Sequence, residues 1–247
     1  MSRVVAESVE ALPRSGGRRT IAVGVDGSEA AARALDWAVE HAAASRAELV
    51  VVGRSQSVDR ALSVERARVV DRARVVGRFV PGGPDELRAL ECDTLVVGSR
   101  GEPFHGLAAA AENPERQLVV VRGLPRLATG VVTAAVGGVS DRAVLRAAAQ
   151  VCRARAARLR LLHLHLHFGG VAEVGEPDNT PLRHATKYLR AIAPDLEPTN
   201  LLDRRAPHEA FGAPSTDLLI IGRGYGGSVG RVAKTAFYHS ACPVLLA

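Results

Sequence analysis

Short unbroken apolar runs alternate along this chain with longer stretches whose apolar residues recur every three to four positions. TIAVGV, ELVVVG and TLVVG are runs of the first kind, bounded by glycine or charged residues. Runs of that length suit strands buried on both faces, and the 3.6-residue period between them suits amphipathic helices. The pattern predicts strands near 20–25, 48–53, 74–80, 94–98 and 117–121. Helices are predicted near 29–45, 57–71, 84–91 and 104–113. Residues 30–43 are rich in alanine around Leu35 and Trp37, which strongly favours helix. Further strands are predicted near 130–136, 159–166, 197–202, 217–222 and 243–246, again with helices between them.

The second series repeats the first. At a constant offset of 110 residues Leu35 faces Leu145, Ala38 faces Ala148, Leu49 faces Leu159 and Gly53 faces His163. CDTLVVGSRG matches STDLLIIGRG, and each series closes on a short apolar run, QLVVV or CPVLLA. Internal similarity of this kind predicts two tandem domains, 18–123 and 128–247, after a flexible leader at 1–17. Strands alternating with helices predict an α/β fold, each domain a doubly wound parallel sheet of five strands. Ligands on such sheets sit beyond the carboxyl ends of the strands, where the glycine turns at 98–101 and 222–227 fall.

The turn in DLLIIGRGYGGSVGR (217–231) satisfies two familiar glycine patterns, and neither survives its context. Gly222–Gly227 fits G-x-G-x-x-G, but a dinucleotide fingerprint follows the first strand of its unit and needs a later acidic residue. Here it follows the fourth strand, with no Asp or Glu beyond Asp217. Gly226–Gly230 fits G-x-S-x-G, but the strand ends near Gly222, short of Ser228, and only His239 follows.

Taken together, VGVDGS after the first strand, LVVGSRG and LIIGRG at the fourth, and CPVLLA at the end resemble the universal stress protein family. The resemblance spans nearly all of 18–247. It implies a five-stranded fold of the adenine-nucleotide α-hydrolase type, with members that bind ATP and others that serve as dimeric regulatory modules. In ATP-binding members an Asp follows strand one, and the loop after strand four reads G-x2-G-x9-G-[ST]. Glycines there let backbone N–H groups reach phosphate, aided by the following helix N-terminus. By this resemblance Asp26, Gly98, Ser99 and Gly101 are the nucleotide-binding candidates of domain one, and Gly222 and Gly230 those of domain two.

Both motifs are degenerate. Domain one has Ala111–Glu112 at the Gly-Ser position, where a methyl crowds phosphate and a carboxylate repels it. Domain two has Val136 opposite Asp26, and counting back from Cys242 leaves too few residues between Gly222 and Gly230. The expected cofactor is therefore ATP or another adenine nucleotide in domain one, or none. The expected function is a non-catalytic stress-response or regulatory module, the alternative an ATP-binding sensor with slow or no hydrolysis. The resemblance also implies pairing through the last strands, so 117–121 and 243–246 are expected as antiparallel neighbours in an intramolecular pseudo-dimer. A homo-oligomer or a regulatory protein partner remains open.

Composition narrows the rest. No run approaches 18 unbroken apolar residues, so no membrane span is expected. Cys92, Cys152 and Cys242 are odd in number and lack C-x-x-C spacing, as in a reduced, cytoplasmic protein. The net charge of +6 lies in residues 126–247, with 15 basic against 9 acidic side chains. A basic half invites nucleic acid, but 4% aromatic residues leave little to stack on bases. His163, His165 and His167 share one strand face; a single strand splays them, so a structural role is expected rather than a metal site. Arg142, Arg146 and Arg153 form a stripe that reads as a solvated helix face.

Overall fold

Strand β1 (Thr20–Val25) runs between β2 (Glu48–Gly53) and β4 (Thr94–Gly98), its apolar residues buried because both sheet faces are covered. The computed structural model describes residues 19–53, 78–81, 84–99, 111, 113, 115–123, 128–139, 141–165, 178–213, 215–224 and 229–247. Chain contacts divide it into two compact units, Met1–Arg122 and Gly123–Ala247.

In the first unit the strand order is β3 (Arg78–Pro81), β2, β1, β4, β5 (Gln117–Val121), and every pairing is parallel. Helix α1 (Glu29–Ser45) lies on β1 and β4. Its inward stripe is Ala30, Ala31, Ala34, Leu35, Ala38 and Ala42; small residues let the helix axis approach the sheet closely. A short α2 (Pro84–Ala89) precedes β4. The helices predicted at 57–71 and 104–113 lie wholly or largely outside the described residues, as do positions 74–77 of the predicted third strand.

In the second unit the order is β8 (Thr199–Asp203), β7 (Arg158–Leu164), β6 (Val131–Val136), β9 (Leu218–Ile221), β10 (Val244–Leu246), again all parallel. Its helices are α3 (Asp141–Arg155), α4 (Thr180–Ile192), α5 (Pro207–Gly212) and α6 (Arg231–His239). Val144, Leu145, Ala148 and Cys152 give α3 the buried stripe that α1 has.

Matching details recur at matching positions. Arg46 and Ala156, 110 residues apart, end α1 and α3 in the left-handed conformation at φ 55° and 50°. The next amides, of Ala47 and Ala157, then bond back to Ala42 and Cys152 carbonyls. In the first unit the Asp93 carboxylate accepts from the Thr20 amide at 2.8 Å. In the second, Asp217 accepts from the amides of Thr129 and Gly130, both at 2.7 Å. Each aspartate ties the start of its fourth strand to the start of its first.

The Arg stripe on α3 finds partners inside its own unit. Arg153 forms a forked ion pair with Asp195, and the Arg142 guanidinium lies 5.7 Å from the Tyr188 ring centroid. Arg146 bonds its Nε to the Arg142 carbonyl.

Candidate functional site

The carboxyl end of β1 is where the first unit changes from core to solvent. Val25 is buried, Asp26 is exposed, and Gly27 turns the chain at φ 85°. Ser28 then caps α1, its Oγ accepting from the Ala31 amide at 3.1 Å. Asp26 Oδ1 accepts from the Ser28 amide at 2.9 Å, fixing the carboxylate at the mouth of the turn. The sequence D-G-S-E dictates this geometry: a local acceptor, a glycine turn, a cap and an acid in the first helical turn.

Gly98 ends β4, beside β1, and lies under the first turn of α1. A side chain there would run into the backbone of Ala30 and reach 2.7 Å from the Ala31 nitrogen. Gly98 thus lets the helix start press on the strand end, beside Asp26. Ser99, half-buried, donates its amide to the Val121 carbonyl at 3.0 Å. Gly101 and Glu112 lie outside the described residues; Ala111 is buried.

The second unit arranges the same turn differently. Val136, buried, stands at the position of Asp26. The amides of Gly137 and Gly138 donate to the carboxylate of Asp141, at 3.0 Å and 2.9 Å. The turn's outward N–H groups are therefore already satisfied by an anion of the chain itself. His163 Nδ1 lies 3.0 Å from the Val136 carbonyl, in keeping with a structural histidine. Sequence reasoning missed the role of Asp141, although Gly-Gly-x-x-Asp at a helix start was its legible signal.

Gly222 follows β9 half-buried, and Gly230 caps α6. A methyl on Gly230 would stand 3.4 Å from the Gly224 Cα, so the two ends of this loop lie side by side. Residues 225–228 lie outside the described residues.

Burial pushes the Cys92 thiol up, only partly offset by the charge of nearby Arg116, and pushes Cys152 up to about 11. Both are thiols at neutral pH. Among the described residues no group of three or more His, Cys, Asp or Glu side chains is placed to hold a metal. His167 lies outside them. No helix among the described residues is long and apolar enough to cross a membrane.

Residues 17–53, from the lead into β1 through the Asp26 turn and α1 to the end of β2, match the sequence model of the universal stress protein family. The chain belongs with the universal stress proteins. A universal stress protein from Archaeoglobus fulgidus is similar in fold, with a TM-score of 0.61 and 16% identity over 92% of this chain and 95% of its own. A candidate universal stress protein from Pseudomonas aeruginosa gives 0.61 and 15% over 93% of each chain. A universal stress protein solved with cAMP is 30% identical over 42% of this chain and 96% of its own, with a TM-score of 0.36. No curated protein matches the sequence. Identities of 15% and 16% speak to fold alone. What this universal stress protein binds must be argued from its own residues.

Proposed function

We propose that the chain is a non-catalytic stress-response or regulatory module whose one adenine-nucleotide site, weakened, is in the first unit. The observation that carries this reading is the difference between the two β-strand ends. Asp26 stands exposed beside Gly98, whereas Val136 replaces it in the second unit and Asp141 occupies the adjacent amides. Asp26 is proposed to meet the ribose and adenine, and Gly98, Ser99 and Gly101 to lead into the phosphate loop. Gly222 and Gly230 are proposed as remnants of the second loop. The weakening is attributed to Ala111–Glu112, where the G-x2-G-x9-G-[ST] pattern asks for Gly-Ser.

The raised thiols support the absence of nucleophilic catalysis, and three cysteines, odd in number and without C-x-x-C spacing, support a reducing, cytoplasmic setting. On sequence grounds alone, the apolar end runs QLVVV and CPVLLA are proposed to pair within one chain as a pseudo-dimer.

Titration of a fluorescent ATP analogue tests the reading. Weak binding is expected in the parent chain, none in Asp26→Ala, and tighter binding when Ala111–Glu112 becomes Gly-Ser. Unchanged affinity in a folded Gly-Ser variant would show that the loop register is wrong.

A further inference from the structure

Thr133 on β6 and Arg160 on β7 are direct partners across the ladder and share one face of the second unit's strands. With Leu162, Leu201 and Phe211 they line a small, shallow recess, open to solvent, beside α5. Thr133 and Arg160 lie in the amino-terminal halves of their strands, away from the turn at Val136–Gly138. The recess is thus separate from the strand ends where the nucleotide motifs fall.

Two features of the recess are unusual for plain packing. Thr133 is only 4% exposed, and its hydroxyl has no hydrogen-bond partner among the described residues. A buried hydroxyl without a partner is costly, and such groups are normally satisfied. Arg160, half-buried, uses Nη1 alone, donating to the Ser215 carbonyl at 3.3 Å and to its Oγ at 3.1 Å. Its Nε–Nη2 edge, the fork that matches a carboxylate, has no partner among the described residues.

The other charges of the recess cancel. Arg205 grips Asp203 through Nε at 3.1 Å and Nη2 at 2.6 Å, which holds that carboxyl below its ordinary range. Arg160 is left as the net charge of the recess, one positive unit beside apolar walls. That combination matches a single planar negative group on a small apolar body.

We propose that this recess binds a small aliphatic monocarboxylate, its carboxylate on the free edge of Arg160 and the Thr133 hydroxyl, its carbon chain against Leu162, Leu201 and Phe211. A phosphate would fit the charge but not the apolar walls. The site is independent of the nucleotide reading, since it uses no residue of the first unit.

Thermal melts of the full chain with acetate, butyrate, hexanoate, inorganic phosphate and chloride at matched ionic strength test it. Butyrate or hexanoate should raise the melting temperature more than acetate, phosphate or chloride. Thr133→Val should weaken butyrate by about tenfold, the value of one charge-assisted hydrogen bond, without lowering the ligand-free melting temperature. Arg160→Gln should abolish the response. Carboxylates no better than chloride, a stronger response to phosphate, or an undiminished butyrate response in Thr133→Val would overturn the proposal.

Discussion

Gly98, the last residue of β4, lies so close under α1 that a methyl group on it would overlap the Ala30 carbonyl. The obstacle is backbone in the first turn of a helix, which cannot swing aside as a side chain can. Gly98→Ala must push α1 outward or bend β4. Overpacking of this kind costs about 3 kcal/mol. Asp26→Ala, at an exposed position four residues earlier on the same helix approach, should cost under about 1 kcal/mol. Urea unfolding of the two variants checks the contrast. Equal losses would show that the helix start is not seated on Gly98.

The pairing of Gly98 with α1 also marks how far the sequence could be read. Boundaries of β1 and α1 were legible because DGSEAAA carries its own turn, cap and helix formers. Strand β7 ends at Leu164 rather than 166, and α2 ends at Ala89 rather than 91; run lengths alone do not fix such ends. The resemblance gave Gly98 a phosphate-binding part, and the structure adds a steric one that spacing cannot reveal. Asp141 was passed over although its two amide partners stand only four and three residues before it, so the signal was local and legible in Gly-Gly-x-x-Asp. The Thr133–Arg160 recess was hidden for a different reason: 27 residues separate its two polar members, and only strand order brings them together.

Asp217 accepts three hydrogen bonds, from the amides of Thr129 and Gly130 and from the Thr129 hydroxyl. It clamps the entry of β6 to that of β9. Asp217→Asn puts an N–H donor where one of these acceptors stood and removes the charge. Loss of about 2 kcal/mol is expected, the usual scale for hydrogen bonds to a charged group. Denaturant midpoints at neutral pH measure it, and a loss below about 0.5 kcal/mol would mean the clamp is slack.

Arg153, whose Nε lies 2.9 Å from Asp195 Oδ2, holds the Asp195 carboxyl at a pKa of about 2, below its ordinary 3.8. A carboxyl depressed in the folded state contributes stability above its unfolded pKa and loses it as pH falls through the folded one. The contribution should therefore be full above about pH 4 and gone near pH 2. Both groups are half-exposed, so salt will screen much of it. Asp195→Asn should unfold at lower urea than the parent at pH 6 and at the same urea at pH 2. A constant difference across that range would remove the ion pair as its source.

Nucleotide is proposed to reach one unit, weakly, and without turnover. Thermal melts of the parent chain, Asp26→Ala and Val136→Asp with rising ATP and Mg²⁺, with phosphate release followed in the same samples, test it most directly. A ligand at 100 times its dissociation constant adds about 2.7 kcal/mol, an easily read shift. Expected are a rise in the parent only at millimolar ATP, no rise in Asp26→Ala, no gain from Val136→Asp, and no phosphate release. Saturation at micromolar ATP, a rise that survives Asp26→Ala, or steady phosphate release lost in Asp26→Ala would contradict it.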